Sequence, residues 1–446
     1  MNFKNKKIII TGFVVLVSFF IFDFGLKSDE FNIIAEDNNE EVVITIPPVY
    51  KNKIPLVEDT LDGLINNKST FIYINLENMK ADLYKDGSLD QEIPILARGN
   101  DLEWSGSPAG IHEVLASYVT AYSVSSYVYM PYAVQYYGKY FTHGIPYYPG
   151  GKKLVSRYSG GCLRFSNENA KKIFDFSKKG IPVIVVDKNR DDFSGFENPT
   201  PFPESTSESY LIADLKSGHI FAQKNINQKM PIASITKLMT ALVAVENIDL
   251  EKNITITKED LEYYGDNLGM EIGDKYQLIQ LLYPTLTRSA NHTAEAIRRS
   301  LGSDSLEMMN KKAKTLMMNN TFFADGSGLD KNNVSTAQDL FYLGRYIYYN
   351  RYPLLEITKG KTVPLARTMD FDLEEIGNLN IFINDPTFIG GKTGYTKEAG
   401  QTALFLFKLN YNDSERIIAM IFLDAKNSKW EAQKAYRWLL NNGFEM

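Results

Sequence analysis

"PIASITKLMT", residues 231–240, sets a serine and a lysine three positions apart. The run "SITKLMTALVAVEN" reads as a helix, so Ser234 and Lys237 share one face, one turn apart. A serine at a helix start lies in the positive field of the N-terminus, which favours negative charge developing on its oxygen. Lysine becomes a base for a serine hydroxyl when it is neutral, and burial or a second cation makes it so. Taken singly, the two residues also fit a helix cap and a surface charge.

The second cation follows downstream. "GGKTGYT" (390–396) supplies Lys392, and "TRSANHT" (287–293) supplies Ser289 and Asn291. Around them, "SYLIADLKSGHIFAQKN" (209–225) has the pattern of a hairpin turning at Lys216-Ser217-Gly218. "TALFLFKLNYNDSERIIAMIFLDA" (402–425) is a second hairpin, turning at Asn412-Asp413, and "SKWEAQKAYRWLLNNG" (428–443) is a closing helix ended by Gly443. Strands at both ends with helices between them predict one antiparallel sheet with an inserted helical subdomain.

S-x-x-K, S-x-N and K-T-G in this order resemble the signature of penicillin-binding proteins and serine β-lactamases. "GDNLGMEIGDKYQLIQLLYPTLTRSAN" (265–291) and "TFFADGSGLDKNNVSTAQDL" (321–340) look like the low-molecular-weight D,D-carboxypeptidase group. The resemblance covers residues 208–446. It implies that Ser234 is the acyl nucleophile and Lys237 its base. Ser289 and Asn291 would relay protons and position substrate. Lys392 and Thr393, with Gly394 beside them, would hold the terminal carboxylate of D-Ala-D-Ala. The backbone N–H groups of Ser234 and Tyr395 would form the oxyanion hole, and β-lactams would be covalent inhibitors. A class A β-lactamase also needs E-x-x-L-N; the nearest match, Glu374 to Asn378, has Gly377 in the leucine position and lies too close to Lys392.

Residues 69–187 read mostly as strand. "TFIYINLENMKADLYKDGSL" (70–89) is a hairpin pattern, and "NENAKKIFDFSKKG" (167–180) is a short helix with Asn167 or Asn169 as its cap. This half holds the single cysteine, Cys162, in "YSGGCLRF" (158–165). One cysteine excludes an intrachain disulfide and a cysteine-rich metal site. A lone cysteine is usually a small buried hydrophobe. A nucleophilic one needs a base and oxyanion donors. His143 in "FTHGIP" is the candidate base, and Gly160 and Gly161 let the backbone turn its N–H groups toward a carbonyl. His112, His219 and His292 read as structural or surface residues.

"SPAGIHEV" (107–114), His143-Gly144 and "YSGGCLRF" resemble the L,D-transpeptidase catalytic domain of peptidoglycan synthesis, over residues 70–187. The resemblance implies Cys162 as nucleophile, His143 as base, and an oxyanion hole from the N–H groups of Gly161 and Cys162. Arg164 has a fork that matches a stem-peptide carboxylate. One position departs from the pattern: the family often has histidine two residues before the cysteine, where this chain has Gly160.

"MNFKNKK" followed by an apolar run from Ile8 to Phe22, extending to Leu26, and then by acidic residues reads as a membrane anchor with the chain outside the cytoplasm. A cleaved signal peptide has the same start. The expected organisation is a tail (1–6), an anchor (7–26), an extended stalk (27–68), a cysteine domain (69–187), a linker (188–207) and a serine domain (208–446). The expected fold class is multidomain: a β-rich L,D-transpeptidase-like domain, then an α/β serine penicillin-binding domain with antiparallel sheet and helical subdomain. The net charge of -6 leaves no basic footprint for nucleic acid. Both mechanisms are complete without metal or organic cofactor. The expected substrate is the peptidoglycan stem peptide, trimmed by the serine domain and crosslinked by the cysteine domain. The rival reading keeps only the serine domain catalytic and makes the other a wall-binding or β-lactam-sensing module.

Overall fold

The computed structural model describes residues 31–37, 40–46, 52–366 and 370–446. The expected tail and anchor lie outside the described residues, and no helix among those described is long and apolar enough to cross a membrane.

The cysteine half is built from two sheets. The first has the order Ser88–Pro94, Lys80–Lys85, Phe71–Asn75, Pro182–Val186, Gly110–Glu113. Strand Pro182–Val186 is buried along its whole length and pairs parallel with Phe71–Asn75. Its unbroken apolar run suits a strand covered on both faces. The second sheet has the order Leu163–Arg164, Tyr140–His143, Val128–Tyr137, Ala116–Ser123. Helix Asn167–Phe176 follows the cysteine strand, and Ser166 caps it by accepting from the Asn169 N–H at 3.1 Å. The expected caps, Asn167 and Asn169, lie inside the helix. Ser166 takes the role because it alone of the three has the extended backbone that turns a side chain onto the first-turn amides.

The serine half has the expected antiparallel sheet, in the order Ile220–Lys224, Ser209–Asp214, Ser414–Ala425, Gly400–Tyr411, Phe388–Thr396. The turn at Asn412-Asp413 has φ of 47° and 57°, left-handed at both positions, as a two-residue hairpin with the strands' twist requires. Helix Thr236–Asn247 is buried from Thr236 through Glu246, so its apolar composition all round is a consequence of its central position.

Two connecting segments differ from expectation. The stalk predicted over 27–68 contains paired strands Phe31–Asp37 and Glu40–Ile46 and helix Thr60–Asn66. Ile54, Leu56 and Leu64 are buried in the main core, so the second half of that segment is part of the folded body. The linker 188–207 has no helix or strand, as predicted, but it is packed down. Phe193, Phe196 and Phe202 join the aromatic cluster of Phe221, Tyr411, Trp438 and Phe444. Polar composition hid these anchors, because three aromatics spread over ten residues show no period.

The halves share one apolar core. Phe71, Val134 and Tyr140 belong to the same buried cluster as Leu238, Leu316 and Tyr346. Buried charges cross the boundary as well: Arg345 donates to Asp187 at 2.7 Å, and the Asn350 amide donates to the same carboxylate at 2.9 Å. A boundary made of shared core holds the two domains at a fixed relative position.

Candidate active sites

Ser234 sits in a 3-10 turn, Ala233–Ile235, that leads directly into helix Thr236–Asn247. The preceding Ala233 has φ of 47°, a left-handed backbone that costs a non-glycine residue energy and is kept only where surroundings impose it. Gly328 packs closely against it: a Cβ there would lie 2.0 Å from the Ala233 carbonyl oxygen. Ser234 is half-buried; Lys237 is wholly buried.

Lys237 Nζ lies 2.9 Å from Ser234 Oγ and 2.7 Å from Asn291 Oδ1, and donates also to the Ser327 carbonyl. Burial first, and the Lys392 charge second, hold its ammonium well below the ordinary lysine range. A neutral amine fits these three contacts: two N–H bonds reach Asn291 and Ser327, and the lone pair faces the serine hydroxyl. The Ser327 carbonyl is aimed by Asp325, whose carboxylate accepts from the N–H groups of Ser327 (3.0 Å) and Gly328 (2.6 Å). Sequence reasoning missed Ser327; its signal, the "DGSG" loop, was read only as resemblance.

Ser289 follows the π-turn Pro284–Arg288 in a left-handed conformation and precedes helix Asn291–Ser300, which carries Asn291. Lys392, Thr393, Gly394 and Tyr395 lie on the edge strand Phe388–Thr396. Gly394 runs so close to the serine that a Cβ would sit 2.7 Å from the Ser234 backbone nitrogen. Lys392 is buried, which brings its ammonium down to about 7, and Tyr395 is exposed. The predicted serine-site residues therefore come from three separate segments, with Lys237 in contact with Ser234 and Asn291, and Gly394 close against the Ser234 backbone.

The cysteine site forms where two short strands run parallel, with Leu163 opposite Thr142 and Arg164 opposite His143. His143 is buried, and its Nδ1 lies 2.6 Å from the Gly144 carbonyl. A carbonyl only accepts, so Nδ1 carries the proton and Nε2 keeps a free lone pair. Burial brings the imidazole down to about 4, so it is neutral at pH 7. Cys162 retains part of its solvent exposure, yet the protein packed around it pushes the thiol up to about 11. Its sulfur faces the Lys139 carbonyl at 3.9 Å, and no hydrogen bond joins it to His143 among the described residues.

Two expectations about this loop change. The Gly161 N–H donates to Ser159 Oγ at 3.1 Å, and the Ser159 hydroxyl in turn donates to the Cys162 carbonyl. The Gly161 amide is thus engaged, and the staple made by Ser159 was not foreseen. Arg164 is buried with its fork on the Ser156 carbonyl (3.1 Å) and hydroxyl (3.3 Å), so it braces the preceding loop and presents no open fork to a carboxylate. His112 and His292 are buried, and His219 packs against Phe193 and Phe221. Among the described residues no group of three or more His, Cys, Asp or Glu side chains could hold a metal ion.

Residues 196–427 match the D-alanyl-D-alanine carboxypeptidase family, and residues 69–185 match the L,D-transpeptidase catalytic domain. The chain is 29% identical to D-alanyl-D-alanine carboxypeptidase DacB2 of Mycobacterium tuberculosis, over 50% of this chain and 77% of that protein. It is 32% identical to the D-alanyl-D-alanine endopeptidase of Pseudomonas aeruginosa, over 53% of this chain and 78% of that protein. The crystal structure of a D-alanyl-D-alanine carboxypeptidase from M. tuberculosis H37Rv aligns with 56% of this chain and 96% of its own, at 28% identity and a TM-score of 0.48. The first match spans more than half of the chain and ends beyond the K-T-G strand; the second ends just after the cysteine loop and its helix. The chain belongs to the D-alanyl-D-alanine carboxypeptidase family, and it carries an L,D-transpeptidase catalytic domain ahead of the carboxypeptidase domain.

Proposed function

We propose that the chain is a bifunctional peptidoglycan enzyme with two acyl-transfer sites. The observation that carries the serine half is the fully buried Lys237 within 2.9 Å of Ser234 Oγ. Neutral Lys237 takes the hydroxyl proton as Ser234 attacks the carbonyl between the two terminal D-alanines. The amides of Ser234 and Tyr395 meet the oxyanion, Lys392 and Thr393 hold the terminal carboxylate, Asn291 orients Lys237 and the substrate, and the Ser289 hydroxyl passes the proton from Lys237 to the departing D-Ala nitrogen. Water then hydrolyses the acyl-enzyme. A second reading of this site, favoured by relatives named D-alanyl-D-alanine endopeptidase, has the same bond chemistry with a crosslink amine as leaving group.

In the cysteine half, His143 Nε2 takes the thiol proton as Cys162 attacks the carbonyl of the third stem residue, and gives it to the nitrogen of the fourth residue, which leaves as that amide bond breaks. Both groups are neutral at pH 7, so the step is base-assisted attack by a thiol and not attack by a standing thiolate. The acyl-cysteine then passes to a neighbouring stem amine. The Cys162 amide is the remaining oxyanion donor, and the Gly161 amide joins it when Ser159 releases it.

The two activities connect. Removing one D-Ala from a pentapeptide leaves the tetrapeptide that L,D-transpeptidases use as donor. Because the domains are docked through a common core, the trimmed stem has a fixed distance to travel. The acidic-flanked apolar run near the N-terminus supports attachment to the outer face of the cytoplasmic membrane.

One mass-resolved assay tests this. The chain is incubated with a synthetic pentapeptide stem and with a crosslinked stem. Loss of one D-Ala that disappears in Ser234→Ala supports carboxypeptidase action; opening of the crosslink supports the endopeptidase reading. A crosslinked product that disappears in Cys162→Ala supports transpeptidation. No mass change with any substrate sinks both halves. Trimming with no Cys162-dependent product leaves the cysteine domain as a binding module.

A further inference from the structure

The supports of the cysteine loop are tied to a residue of the other domain. The ring of Tyr140 lies directly under Gly161: a Cβ at Gly161 would sit 2.4 Å from Tyr140 Cε1 and 3.2 Å from the Ser105 carbonyl oxygen. The loop before Cys162 therefore has two supports, the Tyr140 ring and the segment around Ser105. Both are held by Arg351, which is fully buried and follows helix Ala337–Asn350 of the serine domain. Arg351 Nη2 donates to the Tyr140 hydroxyl at 3.1 Å, and Nη1 donates to the Gly106 carbonyl at 2.7 Å. Gly106 also meets the serine domain closely, since a Cβ there would lie 2.4 Å from the Asn350 carbonyl oxygen.

The Arg351 charge is met by Glu246 at 3.0 Å, at the far end of the helix that begins beside Ser234 and Lys237. Lys237 is separated from Glu246 by about 14 Å of helix at 1.5 Å per residue, and Ser234 precedes that helix, so the serine chemistry has no use for Arg351. Burying a guanidinium is costly, and an apolar residue fills such a position at less cost. What an apolar residue cannot do is hold a side-chain hydroxyl and a backbone carbonyl at once through a planar fork.

We propose that Arg351 is a positioning residue for Cys162: through Tyr140 and Gly106 it fixes the two supports beneath Gly161, so the cysteine site is complete only with the serine domain docked. The proposal rests on reading Cys162 as the reactive thiol, but its test does not need transpeptidation.

The test uses the full-length chain, in which Cys162 is the single cysteine. Alkylation of Cys162 by iodoacetamide is followed by mass from pH 6 to 11 in the parent, Tyr140→Phe, Arg351→Met and the double variant. Acylation of Ser234 by a fluorescent penicillin reports folding of the serine domain in each. Loosening the supports lets water reach the sulfur. The alkylation midpoint is expected to fall by about one pH unit in either variant, a roughly tenfold rise in rate at pH 8. The double variant is expected to match the larger single effect, because both substitutions cut one chain of contacts. An unchanged or raised midpoint in Tyr140→Phe, with Ser234 acylated normally, overturns the proposal, and so does full additivity in the double variant. If Arg351→Met fails to acylate Ser234, Tyr140→Phe alone decides. Failure of the crosslinking assay with the predicted shift intact counts against the transpeptidase reading and leaves the positioning role standing.

Discussion

The Nζ of Lys237 sits 2.9 Å from the Oγ of Ser234, inside a site where the lysine is wholly buried and a second lysine lies near. Removing that base while sparing the helix, as in Lys237→Met, is expected to slow acylation of Ser234 by 10²- to 10⁴-fold, roughly the worth of a positioned general base. Stopped-flow labelling with a fluorescent penicillin measures it; a loss under threefold contradicts the base assignment.

The pH profile of that acylation has a definite shape. Lys237 must be neutral, and its pKa is depressed, so the rate rises as pH climbs through that lowered value. Lys392 must be charged to hold a carboxylate, and burial brings it to about 7, so kcat/KM falls as pH rises past about 7. The expected curve is a bell with its alkaline limb near neutrality. In Lys392→Ala the alkaline limb is expected to vanish along with most of the activity.

Gly394 admits no side chain, because a Cβ would press the Ser234 backbone nitrogen at 2.7 Å. Gly394→Ala is expected to cut penicillin acylation by about tenfold or more, since even a displacement of one ångström at a reacting group costs on the order of a hundredfold. The melting temperature should fall as well, because Thr402 Oγ1 at 2.6 Å and Ala233 Cβ at 3.0 Å are also in the way, so acylation is compared where the variant is folded. Unchanged acylation contradicts the close approach.

Gly160 is the reverse case. A Cβ there meets no atom within 4 Å, so a side chain can begin at this position without a clash at its first atom, where histidine is common in the family. Gly160→His is expected to leave the melting temperature unchanged and to raise Cys162-dependent crosslinking severalfold. An equal or lower rate indicates that His143 alone suffices in this chain.

At the domain boundary, Glu246 meets Lys312 at 2.9 Å and Arg351 at 3.0 Å, all three fully buried. Burial opposes ionisation of Glu246, but the two cations outweigh it and hold the carboxyl below its ordinary value. Glu246→Gln leaves two buried cations facing each other, and the expected loss is about 3–5 kcal/mol. Denaturant unfolding measures it. The parent is expected to unfold in one transition followed equally by probes of either domain, because the core is continuous; two separate transitions in the parent contradict that.

Much of this molecule was legible in one dimension. S-x-x-K, S-x-N and K-T-G named the serine-site residues because a helical turn sets Ser234 and Lys237 side by side. The hairpins at Asn412-Asp413 and within residues 70–89 were legible because turn residues between apolar runs are local signals. The parallel pairing of the short strands that carry His143 and Leu163 was not legible, since no local period links residues on separate strands.

Other features depended on partners far away in sequence. Arg164 has the right chemistry for a carboxylate, yet the Ser156 loop folds back onto its fork. Gly161 has a free amide on paper, and the Ser159 hydroxyl takes it. The stalk and linker looked like solvated chain because their anchors, Ile54, Leu56, Phe193 and Phe196, are sparse and aperiodic. Spacing along the chain identifies two domains that match two families, their order and the motif residues each carries. Only the tertiary structure decided that the domains share one core and that Arg351 reaches Tyr140 beneath the cysteine loop. Burial and long-range hydrogen bonds choose among the contacts a side chain is able to make, and residues more than 200 positions apart leave no pattern of that choice in the sequence.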